Sequence, residues 1–200
     1  QLRFSVQTTA PIERVEVRIG CETFATLRPF HAVGSRIRII WQGAKYRGRG
    51  RAVRWDGSLQ LRDGALRDIT RINAWNPEHA FSHTATTASW QAITTGTFGG
   101  LDLRLTETAA TALTLTTPFG TVTLPTADIG IEDTRLDHGG LDRAIRLYRL
   151  PEDNDAQTFE RTLTVPVAAQ GDTPIWLVVT TEDGHQAFTS PTYIFRSSDD

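Results

Sequence analysis

The amino-acid sequence predicts an all-β fold, made of one or two packed antiparallel β-sandwiches with little helix. Thr, Val, Ile and Leu occur in long tracts, and 16 Gly and 9 Pro interrupt these tracts. No window keeps apolar residues at helical spacing for more than about three turns. Turn signals recur every 8 to 12 residues or so, which is typical of sandwich folds.

The first strands are predicted at residues 2–8 and 15–19, where apolar and polar residues alternate on either side of Pro11. Their short connection predicts that they pair with each other as antiparallel neighbours. A later segment, 37–41, alternates isoleucine with arginine, which predicts one buried and one solvated face. Further strands are predicted at 24–27, 89–94, 101–106, 112–117, 120–124, 144–149, 158–165, 175–180 and 186–195.

Two Asp-Gly pairs, Asp63-Gly64 and Asp183-Gly184, lie between alternating segments. Each predicts a two-residue hairpin, because both residue types accept the positive φ that such turns require. Residues 118–120 predict a tight turn between two threonine-rich strands.

The ends of the chain, residues 1–45 with 143–200, are predicted to form an immunoglobulin-like sandwich into which residues 46–142 are inserted. The strand-rich ends and the glycine-rich links at 43–50 and 139–140 motivate this division. The chain contains no methionine and begins directly on a strand pattern. We therefore expect a domain excised from a larger protein.

Charge is distributed unevenly along the chain. Residues 1–72 hold 14 Arg or Lys against 6 Asp or Glu, and residues 73–200 hold 7 against 17, an excess of eight positive and ten negative charges. We expect these opposite charges to pair across the fold.

Cys21 is the only cysteine, which excludes an internal disulfide and a thiolate cluster and predicts a small buried side chain. The longest apolar runs are of strand length, so we expect a soluble protein without a membrane span. The compartment is left open.

The most basic segment, residues 43–54, contains Arg47, Arg49 and Arg51 between glycines. Such a run can bind phosphate groups, so these three arginines are weak candidates for ligand binding. Because it lies between strand patterns and has no repeat, the sequence favours arginines that face solvent or acidic neighbours over a nucleic-acid site.

Metal binding would require clustered ligands, and His79 and His83 have the i, i+4 spacing that places two imidazoles on one helical face. The segment follows Pro77 and lacks a helix pattern, so the pair is only a weak metal candidate and loop histidines are expected. Ser190, His185 and Asp183 lack the surroundings of a nucleophilic serine. No catalytic residue is predicted.

Carbohydrate binding is the alternative function, because sandwiches can display aromatic rings on which sugars stack. Of the five tryptophans, Trp55 and Trp75 lie beside turn signals and are the exposed candidates. Trp176 lies inside an apolar run and is predicted to be core.

Three segments in order resemble the C-terminal β-rich region of a poorly characterised bacterial family. They are Arg47-Gly48-Arg49-Gly50-Arg51 leading to Arg54-Trp55-Asp56-Gly57, then Asn76-Pro77-Glu78, then Glu182-Asp183-Gly184-His185 followed by Ser190-Pro191-Thr192-Tyr193. Residues 10–17 also resemble the junction that follows the N-terminal domain of this family.

In that family the N-terminal domain resembles the PHP (polymerase and histidinol phosphatase) metal-dependent phosphoesterases, which bind divalent metals through His-x-His and further ligands. This chain has no His-x-His. The resemblance therefore implies a non-catalytic accessory domain without a cofactor of its own, which packs on a metal-binding catalytic domain of the same protein. The oligomeric state is left open.

Overall fold

The computed structural model describes residues 1–48 and 50–196, in which β-strand is the dominant secondary structure, and it confirms the all-β prediction. Apart from a 3₁₀ turn at Thr126–Asp128, all regular elements in the described residues are strands, and no helix there is long and apolar enough to span a membrane. The strands are β1 Leu2–Gln7, β2 Ile12–Ile19, β3 Glu22–Leu27, β4 Arg36–Ala44, β5 Val53–Arg54, β6 Gly57–Ile72, β7 Phe81–His83, β8 Thr87–Trp90, β9 Ile93–Thr94, β10 Phe98–Thr117, β11 Gly120–Pro125, β12 Thr134–Asp137, β13 Leu141–Leu150, β14 Thr158–Leu163, β15 Gly171–Thr181, β16 Gln186–Phe188 and β17 Thr192–Arg196.

The chain divides into two compact units, Gln1–His31 with Asn154–Asp200 and Ala32–Asp153. The insertion is therefore longer than the predicted 46–142. The physical reason is that β4 and β13, which the sequence analysis grouped with the ends, pair with each other, and β4 also pairs with β10 of the middle unit.

The unit built from the chain ends is a two-layer sandwich. One sheet has the order β16-β15-β2-β3, with β17 also paired to β15, and the other consists of β1 and β14. The predicted pairing of β1 with β2 is wrong, because the two strands belong to opposite layers and contribute apolar side chains to the same core from two sides. That core is formed by Phe4, Ile12, Val15, Val17, Phe159, Val165, Ile175, Leu177 and Val179.

The middle unit is organised by β10, the longest strand. Along one edge β10 pairs with β6, and along the other it pairs first with β4 and then with β11. The complete order is β12-β13-β4-β10-β6-β8-β7, with β11 beside β10. The core on one face of this curved sheet includes Ile37, Ile39, Trp41, Trp55, Leu59, Trp90, Leu101, Leu103, Leu113, Leu115, Ile145 and Leu147.

The predicted hairpin at Asp63-Gly64 is wrong, because both residues lie inside β6. Asp63 does adopt a positive φ of 54°, but it does so opposite a bulge of β10 between Glu107 and Ala112. Its carbonyl oxygen accepts a hydrogen bond from Thr111 Oγ1 at 2.5 Å. The positive φ was predicted correctly for Asp63 but not for Gly64, and a bulge uses it instead of a turn. The hairpin at Asp183-Gly184 is confirmed in its position, since β15 and β16 pair across it, but of the two residues only Gly184 adopts a positive φ, of 87°.

The predicted solvated face of β4 is also wrong, because both of its faces are buried. Arg38 is 1% exposed and donates two hydrogen bonds to the Asp102 carboxylate, at 2.9 and 2.6 Å. Arg36 donates to the same carboxylate at 3.0 Å. The arginines that interrupt the apolar pattern are buried as ion pairs, so opposite charges from the two parts of the chain do meet here.

Arg149, in β13, uses all five of its N–H donors. Two go to the carboxylate of Glu107, at 2.7 and 2.8 Å, and three go to the backbone oxygens of Ile129, Thr126 and Gly34, at 2.8, 2.7 and 3.1 Å. A buried guanidinium is tolerated when every donor is satisfied. This contact, the Arg149 clamp, fixes the connection between β11 and β12 to β10 and β13.

We expect Arg149→Met to lower the free energy of unfolding by about 3–5 kcal/mol, because it leaves Glu107 and three carbonyl groups without their donor. Urea denaturation measures this loss. Arg104→Met is the matched control, since Arg104 pairs with Glu152 at a more exposed place on the same unit and should cost much less. Equal losses for the two variants would contradict the role given to the clamp.

The clamp also predicts a pH dependence. The hydrogen bond from Arg149 lowers the pKa of Glu107, although burial opposes this by raising it. The ion pair therefore contributes stability above the unfolded pKa of about 4.3, and this contribution is lost as the pH falls through the lower folded value. The stability difference between the wild type and Glu107→Gln should be constant from pH 7 to about 5 and shrink below about pH 4. A difference that grows on acidification would be the opposite of this expectation.

Candidate functional site

Three of the five tryptophans are core residues. Trp55, predicted as a ligand-binding ring, is fully buried, and its Nε1 donates to Thr94 Oγ1 at 2.8 Å. Trp90 Nε1 donates to the Trp55 carbonyl oxygen at 2.7 Å, and the Trp90 ring stacks on Trp41 at 5.1 Å. The N–H groups of Trp55 and Trp90 are satisfied inside the unit and all three rings are buried, so these rings are not available to stack on a sugar.

Trp75 is exposed as predicted, with 77% of its surface accessible, whereas two other expectations fail. Cys21, predicted to be buried, is exposed on the turn between β2 and β3. Trp176, predicted to be core, is only partly buried, because it lies on the outer face of β15 while Ile175 and Leu177 face the core.

The basic segment is placed on the surface. Arg47 and Arg51 are exposed, and Lys45 N donates to the Arg51 carbonyl oxygen at 3.0 Å, which closes the loop between β4 and β5. Arg49 lies outside the described residues. The expectation that these arginines face solvent holds for Arg47 and Arg51.

The two candidate metal ligands are not on a helix. His79 lies in a turn and is half-buried, and His83 lies at the end of β7 and is exposed. No group of three or more potential ligands occurs within residues 1–48 and 50–196. The helical i, i+4 geometry that motivated the zinc hypothesis is therefore missing.

An aromatic face on the outer side of the end-built unit, which we call the aromatic patch, is the strongest candidate surface. Phe188, Tyr193 and Phe195 are 62%, 62% and 66% exposed. Their register partners on β15 are Val178, Pro174 and Asp172, respectively. Because these partners are spaced two and four residues apart along β15, the three rings project from the same face of the sheet.

Trp176 completes the patch between the exposed rings. Its ring lies 6.3 Å from that of Phe188, and its Nε1 donates to the Gly20 carbonyl oxygen at 2.8 Å. The Arg18 guanidinium lies 5.9 Å from the Trp176 ring, and Arg18 also pairs with Glu16. The indole is thus held in place from the neighbouring strand and lies beside the exposed rings.

The same strands form the edge of their sheet. β16 and β17 both pair with β15 on the side away from β2, and the described residues contain no strand on their other side. Exposed apolar edge strands act as templates for added chains, which is why proteins normally cover them. The aromatic patch therefore combines two features of a contact surface, exposed rings and free backbone groups.

The sequence contains one signal for this surface. In β17 the order Tyr193, Ile194, Phe195 places apolar groups on both faces of one short strand. Apolar residues on both faces indicate a strand that is covered on both sides. Residues 186–195, predicted as one strand, form the two strands β16 and β17, and both faces of β17 carry apolar side chains that need a partner.

Comparison of the chain with models of protein families, with curated proteins and with solved structures finds no match.

Proposed function

We propose that this chain is a non-catalytic accessory module that packs on another domain of the same polypeptide through the aromatic patch. The single observation that carries the proposal is the alignment of Phe188, Tyr193 and Phe195, each more than 60% exposed, on one sheet face. Contiguous exposed apolar surface of this kind marks protein-protein contacts.

The chemistry of the patch indicates what would cover it. Tyr, Trp and Phe are enriched in the buried parts of protein interfaces, where they contribute large contact areas. The partner surface should be apolar at its centre and should offer an acceptor for the Tyr193 hydroxyl at its rim. The resemblance of the sequence to the region that follows PHP-type phosphoesterase domains makes such a domain the proposed partner, with any divalent metal held there.

The module and the rest of its parent polypeptide should associate when they are produced separately and mixed. Tyr193→Thr with Phe195→Thr should weaken this association by more than about tenfold, because two anchor rings are lost while strand propensity is kept. Isothermal titration calorimetry gives the affinity.

Phe24→Thr is the matched control, because Phe24 is an exposed ring on β3 at the opposite edge of the same sheet. It should bind like the wild type. Equal binding by the patch variant and the control would reject the patch as the docking surface.

The non-catalytic role is tested on the purified chain itself. We expect no hydrolysis of an aryl phosphate in the presence of Mn²⁺ or Zn²⁺. Turnover that is abolished by His79→Ala or His185→Ala would show that the chain carries its own hydrolytic site and would overturn this part of the proposal.

A further inference from the structure

A second surface, on the middle unit, has a different chemistry. A cleft of about 350 Å³ opens between the hairpin of β10 with β11 and the strand β12. Leu115, Val122, Leu136 and Ile145 form its apolar floor, while Thr117, Thr121, Arg135 and Asp137 supply its polar groups. Apolar cavities of this size with a few convergent polar groups are typical of small-ligand sites.

The cleft lies between two strand edges. In the described residues β11 pairs only with β10, and β12 pairs only with β13. Arg135 spans this region, with NH2 2.8 Å from Asp142 Oδ1 and 3.8 Å from Asp137 Oδ2. A guanidinium and a carboxylate held side by side offer donors and acceptors to neighbouring hydroxyl groups.

Phe119 and His138 form the aromatic wall of the cleft, with ring centroids 4.8 Å apart. The Arg143 guanidinium lies 5.0 Å from the Phe119 ring. Burial, assisted by the charge of Arg143, lowers the pKa of His138, so the imidazole is neutral at pH 7. The His138 ring therefore adds planar surface without a positive charge of its own.

A continuous field of hydroxyl groups leads from the cleft across the outer face of the sheet. One row crosses five neighbouring strands, and a second row lies two residues further along the same strands. The first row is Ser82, Ser89, Ser58, Thr116 and Thr121. The second row crosses four of these strands and is Thr87, Gln60, Thr114 and Thr123, in which Gln60 contributes an amide in place of a hydroxyl. None of these side chains is charged, and Thr121 also lines the cleft.

Neighbouring hydroxyls within the rows bond to each other. The oxygen-oxygen distances are 2.9 Å for Ser82 with Ser89, 2.9 Å for Thr114 with Thr123, and 3.1 Å for Thr116 with Thr121. Each such pair orients two side chains and still leaves one donor and further acceptors for a ligand. The groups are thus ordered before a ligand arrives, which lowers the entropic cost of binding.

We propose that the cleft and the hydroxyl rows that lead to it bind a single chain of a neutral polysaccharide. Strand spacing of about 4.8 Å sets the interval between hydroxyls, so the first row extends over roughly 19 Å and offers a repeating pattern to a repeating polymer. The sheet twists by about 20–25° per strand, so the rows follow a curved path that suits one flexible glycan chain and not a flat crystalline surface.

The proposal is tested by affinity electrophoresis with soluble neutral glycans, namely a β-glucan, an α-glucan, a xylan and a mannan, and with heparin as the anionic comparison. We expect at least one neutral glycan to retard the protein, and we expect this retardation to persist in 0.5 M salt. The reason is that a contact made by hydrogen bonds releases no counterions. Retardation by none of the four, or by heparin alone with loss in salt, would overturn the proposal.

Two variants and one control locate the site. Thr116→Val with Thr121→Val, and separately Asp137→Asn, should each weaken binding by about tenfold, as expected for the loss of one or two hydrogen bonds. Thr70→Val, at an exposed position of β6 outside the rows, should bind like the wild type. Because valine keeps the branched shape of threonine, the threonine variants should melt as the wild type does. If the double variant does not fold, the loss of binding by Asp137→Asn alone still decides the question. Unchanged binding by both would overturn the assignment.

Discussion

The Arg149 clamp is the contact on which the middle unit depends. A planar group with five donors joins β13 to the carboxylate of Glu107 on β10 and to three backbone carbonyl oxygens. Two of those oxygens, of Thr126 and Ile129, lie in the connection between β11 and β12. Because the connection is held at this point, the edges of β11 and β12 flank the cleft with a fixed spacing. A lysine could not replace this geometry, since its ammonium is a point donor.

The core of the same unit is ordered by its tryptophans. Trp55, Trp90 and Trp41 fill the space beneath β6, β8 and β4, and two of their N–H groups bond inside the unit. Close approach depends on glycine at two places. A Cβ on Gly57 would lie 2.8 Å from the Trp90 ring, and one on Gly99 would lie 2.7 Å from Trp41 Nε1. The outer face of this well-packed layer carries the hydroxyl rows.

The fold class was predictable from the sequence because it rests on local periodicity and turn chemistry, and the hairpin at Asp183-Gly184 was predictable for the same reason. Asp63-Gly64 has the same local signal, and there the long strand β10 provides a bulge that accepts the positive φ without a turn. Burial of Arg36 and Arg38 depends on Asp102, which is 64 residues or more away in the chain. A local sequence pattern cannot predict a partner at that distance.

The candidate surfaces were harder to predict, because each is made by cross-strand register. The hydroxyl row joins residues from β7, β8, β6, β10 and β11, which only pairing brings into line. The aromatic patch likewise joins β16 and β17 through their common neighbour β15. The composition shows that aromatic and hydroxyl residues are present, and the turn signals beside Trp55 and Trp75 predicted that the exposed rings would be tryptophans. The structure places three of the five indoles in the core and leaves Phe188, Tyr193 and Phe195 on the surface.

The central proposal is that the aromatic patch docks on another domain of a longer polypeptide. Hydrogen exchange followed by mass spectrometry, on this chain alone and within its full-length parent, tests it most directly. The account predicts that amides of β16 and β17 exchange more slowly in the parent protein, while those of β7 and β8, far along the chain in the other unit, exchange equally in both. Identical exchange of β16 and β17 in the two samples would contradict it.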